Sequence, residues 1–358
     1  MKVRLMTFHT PKNYGAVLQA FSLMSYLKTL YDDVKVIDYN TPALRAKYPL
    51  RAKSTNLKRT VINLLLLPSE KKRKSKFEKF DKFVNENMDL TERYESLSEL
   101  VSALPAADIA FTGSDQVFNP SRIEEERKAF YLDFFPDNVK KVSYAASFGV
   151  STIPKDKEAE ITGYLKKFNN ISVREESGKK IVENLITDSA EVVLDPVFLN
   201  DKEFWTNSAK PYSKEFENYL LYYRLLGTAG SDEAAKRIAK QKGLELVTVN
   251  CTFCKTPIGS VLWDVGPQEF LYLYKNADFI VTDSFHGVAF SAIFEKQFVF
   301  TDTHPVTKER GYNLLTNLEI QDKAYIENYS LDKAIDYKET SEILAKQIAN
   351  SQNFIKKI

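Results

Sequence analysis

The chain is expected to fold as an α/β protein built from two doubly wound, Rossmann-like domains that face a cleft. Three observations predict this. Short β-rich runs alternate with helical patterns, and that repeated β-loop-α order builds a parallel sheet covered by helices. The pattern stops and then restarts after Pro196. At 358 residues, 44% of them hydrophobic, the chain is long and apolar enough for two domains with their own cores.

In the first half, Lys2 to Phe8 reads as a buried strand. Ala16 to Leu30 then carries Val17, Leu18, Phe21, Leu23, Met24, Leu27 and Leu30 on one helical face. Further strands are expected at Val34 to Tyr39, Asp108 to Thr112, Lys141 to Ala146, Ile171 to Val173 and Val192 to Leu194. In the second half, strands are expected at Tyr219 to Tyr223, Glu245 to Val249, Phe279 to Thr282 and Phe298 to Phe300. Gly230, Ser231 and Asp232 open a helix that runs to Lys242 and stops at Gly243. The polar and aromatic stretch Asp201 to Asn218 reads as the link between the halves, and Thr340 to Ile358 as a final helix. The expected division is an N-terminal domain over 1–205 with a basic insertion at 45–82, a C-terminal domain over 206–335, and a terminal helix over 336–358 that packs back on the first domain. Ligands of such sheets bind outside the carboxyl ends of the strands.

Composition excludes several function classes. Lys plus Arg is 50 and Asp plus Glu is 48, so the net charge of +2 predicts no global attraction to nucleic acid. The opening MKVRLMTFHT alternates apolar residues with charge, as a strand does and a signal peptide does not. The longest apolar run, Val61 to Leu67, is too short to span a bilayer. Two cysteines argue against a disulfide framework, and the expected location is a reducing cytoplasm. Arg45 to Lys82 holds thirteen Lys or Arg against three Asp or Glu. It reads either as a solvated helical hairpin or loop, or as an interfacial element touching anionic lipid on the inner face of a membrane.

The segment Ala277 to Gly287, ADFIVTDSFHG, carries the strongest candidate. A strand ends near Thr282 and a helix is expected to begin near Gly287. That puts His286 at the mouth of the sheet, where a histidine exchanges protons near neutral pH and the N–H groups of the helix start can hold an anion. Asp283, three residues earlier, favours an imidazolium if its carboxylate reaches the ring. Ser284 and Gly287 belong to the same turn. Arg174, in Ile171 to Gly178, follows a short strand, where a guanidinium can grip a carboxylate or phosphate with two parallel bonds. A surface pair with Glu175 or Glu176 is its plainer alternative. Asn13 and Gly15 lie between the first strand and first helix, where Gly15 permits close approach of a ligand. Asp115 and Gln116 lie in the polar loop Thr112 to Pro120 after a buried strand. Lys308 and Arg310 follow the last strand and can meet negative charge. The absence of G-x-G-x-x-G disfavours a nicotinamide or flavin enzyme. Cys251 and Cys254 form a lone C-x-x-C without the second pair that zinc needs. His9 and His304 have no evident companions.

Together, NYGAVLQAF, GSDQVFNP, SYAASFG, ISVREESG, VLDPVFL and ADFIVTDSFHG resemble the polysaccharide pyruvyl transferase family, in the family's order and from Asn13 to about Arg310. The resemblance implies a GT-B-like fold and an enzyme that uses phosphoenolpyruvate as donor, without cofactor or metal. It would form a pyruvate ketal on a sugar acceptor, free, nucleotide-linked or lipid-linked, in surface or capsular polysaccharide. It places donor binding and catalysis on Arg174 and His286, with Lys308 or Arg310 as a further basic group. Two other readings remain: a GT-B glycosyltransferase that uses a nucleotide sugar, and a non-catalytic sugar- or partner-binding protein on the same fold.

Overall fold

The structure, a computed structural model, describes residues 1–47, 49–50, 67–250, 257–303, 308–327, 329–330 and 333–358. Runs that are apolar at nearly every position become strands buried on both faces, as parallel sheets require. Seven strands form the first sheet: β1 Lys2–Met6, β2 Asp33–Tyr39, β3 Leu90–Tyr94, β4 Ile109–Thr112, β5 Lys140–Ala146, β6 Asn170–Val173 and β7 Glu191–Val192. Their order is β3-β2-β1-β4-β5-β6-β7, parallel throughout. The second sheet holds β8 Tyr219–Arg224, β9 Glu245–Asn250, β10 Ser260–Leu262, β11 Phe279–Thr282 and β12 Phe298–Phe300, in the order β10-β9-β8-β11-β12 and again parallel. Strand order reverses between β1 and β4 in one sheet and between β8 and β11 in the other. These are the points where crevices form at the carboxyl edge. Two doubly wound sheets are therefore present, as expected.

Helices cover both sheets. In the first lobe they are α1 Tyr14–Leu27, α2 Pro42–Arg45, α3 Glu70–Asn87, α4 Leu97–Ala103, α5 Glu124–Phe130, α6 Lys155–Leu165 and α7 Glu176–Leu185. Beyond them lie α8 Lys202–Ser208, α9 Ala229–Lys242, α10 Pro267–Asn276, α11 Phe285–Ile293, α12 Lys308–Asn317, α13 Gln321–Ala324 and α14 Tyr337–Lys356. The helix α9 stops where expected, at Gly243 in the left-handed conformation with φ 66°. Its first turn is capped by Thr228, whose hydroxyl accepts the Ser231 N–H.

Three expectations need correction. The stretch Asp201 to Asn218 is more than a link, because it contains α8, and Trp205 within α8 is fully buried and donates its indole N–H to the Val197 carbonyl. The basic stretch is not uniformly solvated. From Glu70 it forms α3, which is wedged between the lobes. There Arg73 and Lys76 are buried, and Lys79 pairs with Glu269 at 2.7 Å. Lys76 donates to the Asn250 carbonyl at 2.7 Å and lies 4.6 Å from the centre of the Tyr14 ring. Of the apolar run Val61 to Leu67, on which the lipid-contact reading rests, only Leu67 falls within the described residues. No described helix is long and apolar enough to cross a membrane. Third, two strands that the sequence pattern did not announce, β3 and β10, lie at the edges of their sheets.

The lobes are tied together. Tyr14 sends its hydroxyl to the Val265 carbonyl at 2.8 Å, and its ring stacks on Phe270 with centroids 4.4 Å apart. One apolar core runs without a break from Val3 and Val36 of the first sheet to Val249 and Phe300 of the second. The helix α14 begins on the second lobe, where Tyr337 donates to the Ser291 carbonyl at 3.2 Å. It ends on the first, where Ser351 accepts the Leu194 N–H at 2.9 Å and Lys140 donates to the Ile358 carbonyl at 2.6 Å.

Candidate active site between the lobes

Arg174 leaves the end of β6, and its side chain is 2% exposed. Its Nη1 donates to Asp195 Oδ2 at 2.9 Å, its Nε approaches Glu175 at 3.4 Å, and its Nη2 lies 3.8 Å from Asp115. The Phe285 ring lies 4.6 Å beneath the guanidinium. Burial disfavours the cation, but Glu175, Asp195 and Asp115 outweigh it and hold the guanidinium charged.

Asp195 follows β7 and is sealed from solvent. It accepts from Ser114 Oγ at 3.1 Å and from the Val197 N–H at 3.2 Å. Its Oδ2 also lies 3.7 Å from His286 Nε2, a distance for charge attraction rather than for a hydrogen bond. Burial alone would raise this carboxyl; His286 and Arg174 overcome burial and hold it well below the usual carboxylate range. One carboxylate from the first lobe thus faces both a guanidinium and an imidazole.

His286 sits in the first turn of α11, not before the helix, because the helix begins one residue earlier at Phe285. Its Nε2 is buried and has no hydrogen-bond partner among the described residues. The opposite side of the ring meets α1: a Cβ on Gly15 would lie 2.1 Å from His286 Nδ1. Only glycine leaves room for this ring.

Arg310, on α12, is partly buried. It makes no hydrogen bond or ion pair among the described residues. Burial first, and then the charge of Arg174, push its guanidinium below its ordinary value. Arg174, Asp195, Phe285, Arg310 and Asn313 line a cavity of about 290 Å³. A neighbouring cavity of about 230 Å³ shares Glu175 and Arg310 and extends past Gln116, Gly149 and Ser177. The two guanidiniums share this space with the carboxylates of Glu175 and Asp195, and Arg310 has no ion pair among the described residues, so its fork is open to a small anion.

Residues 13–305 match the sequence model of the family described as polysaccharide pyruvyl transferase. The chain belongs to the polysaccharide pyruvyl transferase family. The chain is also similar to UDP-GlcNAc 2-epimerase from Neisseria meningitidis, with 12% identity, a TM-score of 0.48, and coverage of 99% of this chain and 93% of that one. For UDP-GlcNAc 2-epimerase from Methanocaldococcus jannaschii the identity is 11%, the TM-score 0.47 and the coverage 97% and 93%. For the Escherichia coli ADP-heptose heptosyltransferase II they are 14%, 0.35, and 98% and 100%. No curated protein sequence matches.

In this pyruvyl transferase family member, the residues singled out from sequence fall into three groups. Arg174 and His286 meet at Asp195, with Gly15 against the imidazole, and Arg310 lines the cavity beside Arg174; His286 itself does not line that cavity. Asp115 borders Arg174 at 3.8 Å, with its backbone in the left-handed region at φ 68°. Gln116 lines the adjoining cavity, where its Oε1 accepts from Asn119 at 2.9 Å.

The others have structural duties. Asp283 does not reach the imidazole: its carboxylate accepts the N–H groups of Leu225, Leu226 and Gly227 at 2.6, 2.9 and 2.7 Å and pins the loop after β8. The acid beside the ring is Asp195. Asn13 caps α1, with its oxygen taken by the Gly15 and Ala16 amides. Ser284 is the residue before α11, its N–H bonded to Thr282 Oγ1 at 3.1 Å. Gly287 is needed for packing, since a Cβ there would lie 2.0 Å from Thr282 Oγ1. Lys308 lies against Tyr325, 5.9 Å from the ring centre, and does not line the cavity. Cys251, Cys254 and His304 fall outside the described residues. His9 does have companions: its ring nitrogens face the Thr7 carbonyl at 3.2 Å and Asp38 at 3.0 Å.

Asp195 and Glu175 are the site residues that sequence reasoning did not select. Both lie in segments that carry the family resemblance, VLDPVFL and ISVREESG, so the signal was there. For Asp195 it lacked the partner, His286, ninety-one positions on; the Arg174–Glu175 pair offered as the plainer alternative is formed, but buried rather than at the surface.

Proposed function

We propose that the chain transfers the enolpyruvyl group of phosphoenolpyruvate to two hydroxyls of a sugar, which yields a pyruvate ketal and inorganic phosphate. The observation that carries this reading is the Arg174–Arg310 pair, with the His286 imidazole beside the carboxylate that holds Arg174. Phosphoenolpyruvate is a small molecule with a carboxylate at one end and a phosphate at the other. The two guanidiniums suit its two anionic groups, and Arg310, without an ion pair among the described residues, gains a partner on binding.

The chemistry balances as follows. A proton adds to the methylene carbon of phosphoenolpyruvate and leaves a carbocation-like centre at the adjacent carbon. One sugar hydroxyl attacks that carbon and gives up its proton. The bond from this carbon to the phosphate oxygen breaks, and the phosphate leaves with the electron pair. A second hydroxyl attacks the same carbon and closes the ring. Of the two hydroxyl protons, one replaces the proton spent on the methylene and the other leaves on phosphate. His286 handles the proton, a role worth roughly 10²–10⁴-fold in rate. Asp195 sets a carboxylate oxygen 3.7 Å from the ring's Nε2.

The deciding experiment incubates the protein with phosphoenolpyruvate and a panel of free, nucleotide-linked and lipid-linked sugars, and reads added pyruvate by mass spectrometry. An acceptor-dependent product is expected, with turnover lost in His286→Ala. Arg174→Lys keeps the charge but loses the fork, so the KM for phosphoenolpyruvate is expected to rise. No pyruvylated product with any acceptor, together with glycosyl transfer from a nucleotide sugar, would reverse the reading.

A further inference from the structure

A second polar cavity opens over the other half of the same sheet edge, above β1, β2 and β3. Its volume is about 370 Å³, within the range of about 300–1,000 Å³ typical of small-molecule sites and at its small end. His9, Lys12, Asp38, Asn40, Arg45 and Arg93 line it, and it shares no lining residue with the two active-site cavities.

Its charges are balanced. Arg93 Nε meets Asp38 Oδ2 at 2.9 Å, Arg45 meets Glu95 at 2.8 Å, and Lys12 pairs with Asp81. His9, 1% exposed, faces the other Asp38 oxygen at 3.0 Å. With Lys12, Arg45 and Arg93 each set against a carboxylate, the cavity offers no unpaired cation for a phosphate or carboxylate. It offers donors and acceptors side by side. Asn40 is the exception to the balance. It is 6% exposed, its Oδ1 is buried without a partner, and its side chain makes no hydrogen bond among the described residues. A buried acceptor left unpaired destabilises a fold, so its presence asks for a reason outside the fold.

We propose that this cavity binds a neutral sugar ring, the unit of the acceptor next to the one that receives the pyruvyl group. Each hydroxyl of such a ring both donates and accepts, which suits a lining of matched acids, bases and amide. The position also fits. One wall is the segment from His9 to Lys12, and three residues beyond Lys12 the same segment reaches Gly15, against His286. Three extended residues span at most roughly 11 Å, a step of one or two sugar units. The inference rests on the pyruvyl-transfer reading for the word acceptor, but not for the binding itself.

The test therefore leaves phosphoenolpyruvate out. Saturation-transfer NMR is recorded on the full chain with methyl α-glucoside, methyl β-galactoside, methyl α-mannoside, lactose and maltose. At least one is expected to receive saturation from the wild-type protein, and affinity is expected to fall about tenfold or more in Asn40→Leu and in Arg93→Met. Because the Asn40 side chain holds nothing else together, Asn40→Leu is expected to keep or raise the melting temperature while losing the sugar. Absence of any sugar signal from the wild type, an undiminished signal in Asn40→Leu, or a lowered melting temperature of that variant would each overturn the proposal. Failure of pyruvyl transfer is read separately, in the mass-spectrometric assay.

Discussion

Gly15 is defined by what stands next to it. The His286 ring occupies the space that a side chain at this position would fill. Gly15→Ala is therefore expected to displace the imidazole and cut kcat about 10²-fold, the scale of a misplacement near 1 Å. In a His286→Ala background the same change is expected to be harmless or stabilising, because alanine favours the helix by about 0.5–1 kcal/mol. The kcat of Gly15→Ala alone checks the first arm and a double-mutant cycle of melting temperatures the second; equal melting-temperature effects in the two backgrounds would remove the coupling. Arg310→Met gives the converse case. It relieves the repulsion with Arg174, so the fold is expected to keep its melting temperature while the KM for phosphoenolpyruvate rises. A collapsed melting temperature would mean that Arg310 serves the structure. At this scale the sequence was readable where one segment carries both the residue and its setting, as for His286 in SFHG and Arg174 in SVRE. It misled where the partner is remote. Adjacency favoured Asp283 as the acid beside the ring. In the fold, a chain bend sends Asp283 to three amides and leaves Asp195, ninety-one positions before the histidine, to meet it.

Elements were legible in proportion to their burial. Central strands such as β4 and β11 are buried along their whole length and read as unbroken apolar runs. The edge strands β3 and β10 have a neighbour on one side only, keep polar or half-exposed residues, and carry no such run. The basic helix α3 misled for the opposite reason. Its charge suggests a solvated face, yet Lys76 is buried under Tyr14 and bonded to the Asn250 carbonyl. Lys76→Ala leaves that carbonyl unpaired and is expected to cost about 1–3 kcal/mol. Lys74→Ala, on the exposed side of the same helix, is expected to stay within about 0.5 kcal/mol. Urea unfolding of the two variants measures the contrast, and equal losses would place α3 outside the interface.

For the whole molecule, the sequence announced two sheets but not how firmly they are joined. Pattern shows which residues are apolar; it does not show that Tyr14 and Phe270 stack across the gap, or that α14 begins on one lobe and ends on the other. A core that continues from sheet to sheet predicts one cooperative transition. Far-ultraviolet circular dichroism and tryptophan fluorescence are expected to give coincident urea curves; two separated midpoints would mean independent lobes.

The Arg310 guanidinium, which has no ion pair among the described residues, has a consequence for how the reaction ends. A site that holds charge in reserve for an arriving ester holds it equally for the free orthophosphate that departs. Under the proposed chemistry the enzyme is thus expected to be slowed by its own by-product, competitively against phosphoenolpyruvate, and Arg310→Met is expected to blunt that inhibition.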